Sequence, residues 1–248
     1  MVEYNKVYNC KNQEIIPLLP DKSVQVFLED PPFNITCNEY EYDIDLEEYW
    51  KIRLPKLKDN GCFIIFGCQP FTSKFIMSNL KMFKYDLIWY KPLGTGFLNA
   101  NRMPMRNHEH ILLFYNHLPK YNPQKYKGKM RYKGSKNGET TNYGKFNPTV
   151  SHNDEYFPQS VIEFTNGNKT TGKFHPNQKS VPLFEYLIKT YSDEEDLIVD
   201  GYVGSWTTAI ASMNTNRHYI CTESDKKFFN DGQERFNRFY KEKQMRIF

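Results

Sequence analysis

Val24-Gln25-Val26-Phe27-Leu28 leads, after one more residue, into Asp30-Pro31-Pro32-Phe33. The β-branched and aromatic content of the first five residues suits a buried strand. The two prolines end that strand at once, because proline has no N–H to give a sheet ladder. Asp30 is thereby left at the carboxyl edge of a sheet, beside a stiff turn that presents the ring of Phe33. In open α/β sheets, ligands bind at that edge. Taken alone, the stretch also reads as a strand followed by a proline-stiffened loop, and the rest of the chain has to decide.

Outward from Asp30 the chain alternates strand and helix. Spacing predicts a helix from Leu46 to Leu57, with Leu46, Tyr49, Trp50, Ile52 and Leu57 on its apolar side. Gly61 is expected to break the chain before Cys62-Phe63-Ile64-Ile65-Phe66, a continuous apolar run typical of a strand buried on both faces. A short helix follows from about Pro70 to Leu80. Strands are expected over 86–90 and 111–115, with Gly94-Thr95-Gly96-Phe97-Leu98-Asn99 as the loop between them. Further on, 160–164 reads as a strand. Ser180 is expected to cap a helix with Pro182 in its first turn and Val181, Phe184, Leu187, Ile188 and Tyr191 on its apolar face. Residues 196–200 form a buried strand that delivers Asp200 to its end, and the turn Gly201 to Gly204 leads into a helix through Ala209, Ile210 and Met213. A strand over 218–221 ends near Glu223. Ser224 is expected to cap a last helix carrying Phe228, Phe229, Phe236 and Phe239.

A chain of 248 residues fits one large domain, or a domain with a sizeable insertion. The net charge of +4 is mild and does not by itself announce a nucleic-acid binder. There is no apolar run near the length of a membrane span, and Met1-Val2-Glu3-Tyr4-Asn5 does not read as a signal peptide, so a soluble cytoplasmic protein is expected. The five cysteines, Cys10, Cys37, Cys62, Cys68 and Cys221, form no CxxC pair. They read as reduced, mostly buried thiols, with neither a disulfide framework nor a zinc site. His108 and His110 flank Glu109, but no metal site is expected there.

From Pro119 the character changes. Residues 118–148 carry Lys120, Lys125, Lys127, Lys129, Arg131, Lys133, Lys136 and Lys145 against the single acid Glu139, with Tyr121, Tyr126, Tyr132 and Tyr143 interleaved. A solvated loop is one reading. The functional reading is a nucleic-acid contact surface, with cations for phosphates and aromatic faces for bases. Neither helix nor strand periodicity is visible, so the stretch is expected to be an insertion on a compact domain.

The segment 196–208 is strand, carboxylate, Gly-containing turn, helix. That order sets helix N–H groups and a tight turn against a nucleoside-bearing ligand. Glu223 follows the next strand, where a carboxylate holds ribose hydroxyls in doubly wound folds. A full GxGxxG is missing, which disfavours a dinucleotide.

Several stretches carry a family resemblance in one consistent order. They are Asn9-Cys10 with Leu19-Pro20-Asp21-Lys22-Ser23-Val24; Asp30-Pro31-Pro32-Phe33; Gly94 to Asn99 with Arg106-Asn107-His108-Glu109; His175-Pro176-Asn177-Gln178-Lys179; Asp200-Gly201-Tyr202-Val203-Gly204-Ser205-Trp206-Thr207-Thr208; and Asn216-Arg217 through Glu223-Ser224-Asp225. Together they resemble the β-class, AdoMet-dependent amino-methyltransferases of DNA, in the circularly permuted order where the catalytic motif precedes the AdoMet motif. The resemblance implies an α/β, Rossmann-like methyltransferase fold with a basic target-recognition insertion. Residues 1–117 would form the catalytic half, 118–160 the insertion and 161–248 the AdoMet-binding half.

By the same resemblance, Asp30, Pro31, Pro32 and Phe33 are the catalytic tetrapeptide, of the type that acts on adenine. Asp30 and the Pro31 carbonyl would accept the two amino N–H bonds, and Phe33 would stack on the flipped base. Asn9, Cys10, Lys179, Asp200, Gly204, Ser205, Thr207 and Glu223 would bind S-adenosyl-L-methionine. Asp200 would take the methionine amino group, Glu223 the ribose, the backbone around Asn9-Cys10 the adenine ring, and Thr207 with Lys179 the methionine end. Lys125, Lys127, Lys129, Arg131, Tyr132, Lys133 and Arg106 would meet double-stranded DNA. No metal is implied, and a homodimer or a partner subunit is compatible with the family.

Two departures stand out. Trp206 occupies a position where the family usually has glycine, and Asn9 one where it usually has aspartate. Either the indole turns away into a hydrophobic seam and the enzyme works, or it fills cofactor space. In the second case the chain is a DNA-binding pseudoenzyme or a partner subunit. An amino-cytosine or RNA methyltransferase is a further alternative.

Overall fold

The computed structural model describes residues 2–33, 43–134, 138–142, 144–147, 150–165 and 178–245. The strand β2 (Val24–Glu29) is buried along its whole length and stands near the middle of an eight-stranded sheet. On one side of it lie β11 (Leu197–Asp200), β12 (His218–Thr222) and β1 (Lys6–Tyr8), in that order and all parallel. On the other side lie β3 (Leu57–Gly67), β5 (Arg106–Phe114), β4 (Phe83–Thr95) and β10 (Val161–Glu163). Of these only β5 runs against its neighbours. The chain leaves β2 toward β3 and returns later to its other edge as β11. That reversal makes the carboxyl ends of β2 and β11 the place where a crevice opens.

Two apolar layers close on the sheet. One packs α4 (Val181–Tyr191) and α5 (Thr207–Asn214) against Val26, Leu28, Ile64, Phe66 and Ile198. The other packs α2 (Leu46–Arg53), α3 (Phe71–Ser78) and the loop after α1 (Asn12–Ile15) against Val24, Phe27, Phe63, Ile65 and Val199. From Val26 to Leu28 and from Phe63 to Phe66, alternate residues feed opposite layers, as a strand's period of two requires, while Val24 falls out of that alternation where the β2–β3 register shifts.

Several local expectations need correction. The helix expected to Leu57 ends at Arg53 and tightens into a 3₁₀ turn over Leu54–Lys56, because Pro55 has no N–H for another α-helical bond. Gly61 does not break the chain; it lies inside β3. A Cβ there would come within 2.8 Å of the Gln25 carbonyl and of Leu57, so glycine permits the close approach of β3 to β2. Ser180 precedes α4 but makes no capping hydrogen bond through its side chain. The last helix, α6 (Lys226–Met245), is capped by Asp225 and not by Ser224: Asp225 Oδ1 accepts the N–H groups of Lys227 and Phe228. Cys10, Cys62, Cys68 and Cys221 are free thiols, and Cys37 lies outside the described residues. Among the described residues, no helix is long and apolar enough to cross a membrane.

The chain divides into two compact units, Met1–Asn122 with Ser160–Phe248, and Pro123–Gln159. The smaller unit is not a structureless loop. Within it β6 (Tyr126–Gly134) pairs antiparallel with β9 (Val150–Tyr156), and the two-residue strands β7 (Glu139–Thr140) and β8 (Gly144–Lys145) pair with each other. The absence of strand periodicity expected there is corrected by β6, where Lys127, Lys129, Arg131 and Lys133 alternate with Tyr126, Gly128, Met130 and Tyr132.

Candidate active site

Four consecutive parallel strands, β1, β12, β11 and β2, end on one edge of the sheet, and each delivers a candidate residue there. Asn9 and Cys10 follow β1, Glu223 follows β12, Asp200 ends β11, and Asp30 follows β2. At the usual strand spacing this row spans about 15 Å.

At the β2 end, Asp30 is held by a group from the start of the second half of the chain. Lys179 Nζ lies 3.0 Å from Asp30 Oδ2 and 2.8 Å from Glu109 Oε2. Lys91 Nζ closes the set at 2.6 Å from Glu109 Oε1. Two carboxylates and two ammonium groups thus alternate across β2, β5, β4 and the approach to α4. The Asp30 side chain is one-fifth exposed (21%), yet its Oδ1 is buried and has no hydrogen-bond partner among the described residues. Burial pushes the Asp30 carboxyl up to about 6, with Lys179 pulling it down and Glu109 pushing it up. Burial would also raise Glu109, but its two lysines overcome this and hold it down at about 2. Lys179 is itself held charged well above the ordinary lysine range, because Asp30 and Glu109 outweigh its burial. Pro31 is buried, and Phe33 packs on Phe71 at a ring distance of 5.2 Å, with Lys179 Nζ 5.7 Å from its centroid.

The other end of the row is built on the loop after β11. Asp200 is buried; its Oδ1 accepts the Tyr202 N–H at 2.9 Å and its Oδ2 accepts the Thr208 hydroxyl. Burial raises its pKa well above the usual carboxylate range. Glu223 accepts the N–H of Gly204 at 3.0 Å and that of Asp225 at 2.8 Å, and burial raises it too. The Asn9 side chain donates to the Glu223 carbonyl at 2.8 Å, so β1 and β12 are joined just beyond their ends. Cys10 is half-buried, and burial raises its thiol. Ser205 and Thr207 are buried, with their hydroxyl oxygens 3.3 Å apart. Thr207 also reaches the Lys179 carbonyl at 3.4 Å.

Trp206 precedes α5 with φ at +61°, a left-handed conformation that suits the glycine found there in the resembling family. Its indole packs on Phe229 and Phe236 of α6, among Val7, Val203, Ala209, Tyr219 and Cys221. A Cβ on Gly232 would fall 2.1 Å from the indole, so α6 has a notch where the ring lies. The ring turns toward α6.

Sequence reading missed a second buried pair. Glu29, next to Asp30 but on the opposite face of β2, receives Arg53 Nη2 on Oε1 at 3.0 Å and the Tyr49 hydroxyl on Oε2. Glu29 Oε1 also accepts the Gly201 N–H at 2.9 Å, and Arg53 donates to Asn12 at 3.2 Å. Glu29 therefore joins the strand that carries Asp30 to the turn after Asp200. Lys91 and Arg235 were missed as well. For Arg235 a signal existed: helical spacing sets it four residues before Phe239, on the apolar face of α6.

In the smaller unit, Lys125 pairs with Glu155 at 2.9 Å, and Arg131 lies 3.7 Å over the Tyr156 ring. Tyr156 also stacks with Tyr126. Lys127, Lys129 and Tyr132 are exposed. The Lys133 side chain and residues Lys136 and Tyr143 lie outside the described residues, as do His175, Pro176 and Asn177. Arg106, in the larger unit, is exposed at the start of β5, paired across to Thr95.

A family model described as DNA methylase, covering N6 and N4 enzymes, matches residues 24–234. The type II methyltransferase M.BglII of Bacillus subtilis is 28% identical over 257 residues, covering 90% of this chain and 66% of that protein. The type II methyltransferase M1.MboII of Moraxella bovis is 28% identical over 255 residues, covering 93% of this chain and 95% of that protein. Among solved structures, the M1.HpyAVI–SAM complex superposes with a TM-score of 0.65 at 22% identity, covering 93% of this chain and 98% of that one. The fold expected from the resemblance is the fold observed.

Proposed function

The chain belongs to the N6/N4 DNA methylase family, and we propose that it transfers a methyl group from AdoMet to the N6 amino nitrogen of an adenine flipped out of double-stranded DNA. The observation that carries this reading is Asp30 Oδ1: a buried acceptor without a partner, at the carboxyl edge of the sheet, on a carboxylate whose other oxygen is held by Lys179. A buried polar atom left unpaired is costly unless a ligand satisfies it.

The donor set fits the cofactor. Glu223 keeps lone pairs for ribose hydroxyls beyond the two N–H groups it accepts. Ser205 and Thr207 set two hydroxyls at the start of α5. Asn9 and Cys10 bring backbone to the outer end of the row. When bound, AdoMet supplies an electrophilic methyl group on a sulfonium.

An exocyclic adenine nitrogen is a poor nucleophile, because its lone pair is delocalised into the ring. Asp30 Oδ1 accepts one amino N–H and the Pro31 carbonyl the other, which turns the lone pair toward the methyl group. Alignment and charge stabilisation do most of the work. As the nitrogen becomes positive, the negative Asp30 stabilises it and then takes the proton. A pKa near 6 makes Asp30 a better acceptor than free aspartate, at about 3.9. Phe33 stacks on the extruded base, offsetting part of an unstacking cost of a few kcal/mol. Lys127, Lys129 and Tyr132 of the hairpin, with Arg106, contact the duplex, and the smaller unit is the target-recognition insertion.

The pseudoenzyme alternative requires the Trp206 indole in cofactor space. The ring lies instead against Phe229, Phe236 and Gly232, which favours activity. The test is nucleoside analysis of DNA treated with the protein and labelled AdoMet. N6-methyladenine is expected; N4-methylcytosine alone, or methylated RNA alone, would overturn the adenine assignment, and no product would favour the pseudoenzyme.

A further inference from the structure

Arg235 is only 2% exposed and reaches the loop before α5 from α6. Its Nη1 lies 2.5 Å from the Ser205 carbonyl, 3.2 Å from Ser205 Oγ and 2.9 Å from Thr207 Oγ1. Its Nε and Nη2 are buried and have no partner. Each of the other buried cations that line this end of the sheet faces a carboxylate: Arg53 faces Glu29, Lys91 faces Glu109, and Lys179 faces Asp30 and Glu109. Arg235 faces none. It also stands beside the N-terminus of α5, the positive end of that helix, where a second positive charge is repelled. A buried, unpaired guanidinium in that place is stabilised by an anion.

The hydroxyl geometry agrees. Because Arg235 Nη1 donates to both Ser205 Oγ and Thr207 Oγ1, those oxygens are used as acceptors. The Thr207 proton goes to the Lys179 carbonyl at 3.4 Å, and the Ser205 proton is free to turn from Thr207 Oγ1, 3.3 Å away, toward a ligand. Hydroxyl, helix N–H groups and buried positive charge together form a carboxylate-binding arrangement. Lys179, assigned by resemblance to the methionine end, has its ammonium taken by Asp30 and Glu109 and does not supply that charge.

We infer that Arg235 is a positioning residue that provides the positive charge for the methionine carboxylate of AdoMet, acting through Ser205 and Thr207. The inference rests on the proposed cofactor. It names the part of that cofactor Arg235 recognises.

The test compares calorimetric binding of AdoMet with that of decarboxylated AdoMet, which keeps the nucleoside and sulfonium and lacks only the carboxylate. Wild type, Arg235→Gln and Arg235→Lys are measured on the full chain. Wild type is expected to prefer AdoMet by about tenfold or more, the worth of a hydrogen bond to a charged group. Arg235→Gln is expected to bring the preference within about threefold of unity, while Arg235→Lys, which keeps the charge, retains most of it. If Arg235 is only a strut for the loop, both ligands weaken equally in both variants and the preference is unchanged, which overturns the inference and leaves the cofactor assignment intact. Failure of wild type to bind either ligand overturns both. Should Arg235→Gln not fold, Arg235→Met, which also removes the charge, takes its place and is read the same way: preference lost supports the charge role, preference kept refutes it.

Discussion

Lys179 grips one oxygen of Asp30, with Nζ 3.0 Å from Oδ2, and leaves the other, Oδ1, buried and without a partner among the described residues. One carboxylate thus has a fixed half and an open half. The fixed half sets its orientation; the open half is a ready acceptor for an amino group. Of the acids in the row of strand ends, Asp200 and Glu223 each have internal donors on both oxygens, so Asp30 alone among the three has an oxygen left over.

That geometry predicts an acid limb in the rate of methyl transfer. Asp30 titrates near pH 6 in the folded protein, and its protonated form is a poor acceptor for the amino N–H. Single-turnover rates should be level above about pH 7 and fall roughly tenfold per unit below about pH 6. A rate that stays level down to pH 5 would remove Asp30 from the chemistry. Asp30→Asn should abolish transfer while leaving AdoMet binding measurable.

The same carboxylate costs stability, and the sign follows from its raised pKa. An acid whose folded pKa exceeds its unfolded value binds its proton more tightly when folded. Stability therefore falls as pH rises from about 4 through about 6. Asparagine mimics the neutral form. Asp30→Asn should be more stable than wild type at pH 8, on the order of 1–3 kcal/mol, and the difference should vanish toward pH 4. Denaturant titrations at the two pH values check this. A variant less stable at pH 8 would mean that the Lys179 contact outweighs the desolvation.

Removing Lys179 tests the other partner. Lys179→Met leaves Asp30 facing Glu109 without the cation between them. The acid limb should then move above pH 6, because the pull that lowers Asp30 is gone and the push from Glu109 remains. Stability should drop by about 3–5 kcal/mol, the usual cost of leaving a buried charge without its partner. Affinity for AdoMet should change less than about threefold, since the ammonium is already engaged. A tenfold loss of affinity with an unmoved acid limb would return Lys179 to the cofactor.

How much of this was legible follows from where each signal lies. The strand ends could be read, because an apolar run stopped by Pro31-Pro32, or by Gly201 after Asp200, is a local pattern. The trapping of Lys179 by Asp30 and Glu109 could not, because its partners lie 149 and 70 residues away and meet only through the sheet order. Glu29 carried a misleading local signal: beside Asp30 it reads as an end-of-strand charge, yet the alternation along β2 sends it to the opposite layer, onto Arg53. Ser224 and Asp225 are both good caps, and only the observed backbone decides between them. The strand Tyr126–Gly134 carried a period-two alternation of cations with Tyr126, Gly128, Met130 and Tyr132, but its packing could not be read, because it rests on one distant ring, Tyr156, with Arg131 and Tyr126 stacked on it and Gly128 making room.

Glu29 and Arg53 should behave as a unit. Arg53→Met leaves Glu29 buried with only neutral donors and should destabilise the protein by about 3–5 kcal/mol. Adding Glu29→Gln should restore a substantial part, because the unpaired charge is removed. Chemical denaturation of both single variants and the double variant measures the coupling. Strictly additive losses would mean that the two side chains act separately, despite Nη2 and Oε1 lying 3.0 Å apart.

Trp206 and Gly232 fit each other across α5 and α6. Trp206→Gly relieves a left-handed backbone strain of about 1 kcal/mol but removes a buried indole worth about 3–5 kcal/mol, so a net loss of roughly 2–4 kcal/mol is expected. Wild type should bind AdoMet, and the variant should bind it within about threefold as well, because the ring points at α6. Binding by the glycine variant alone would show that the indole blocks the cofactor. Gly232→Ala should also destabilise, although alanine is the better helix former by about 1 kcal/mol, because its methyl group collides with the indole.

The hairpin makes a separate prediction about DNA. Lys125 is paired with Glu155, and Arg131 covers Tyr156, so these two serve the hairpin itself. Lys127 is 82% exposed and makes only a 3.9 Å ion pair with Asp154, and Lys129 is exposed on the same strand. If these two meet phosphates, Lys127→Ala with Lys129→Ala should weaken duplex binding at low salt and lower the slope of log K against log salt by about two. AdoMet affinity should not change, since neither residue belongs to the row of strand ends. Arg131→Ala should act differently, loosening the hairpin by uncovering Tyr156 as well as removing a charge. Titrations of labelled duplex at several salt concentrations separate these effects. An unchanged slope in the double lysine variant would move the DNA contact away from this strand and leave Arg106 as the cation to examine.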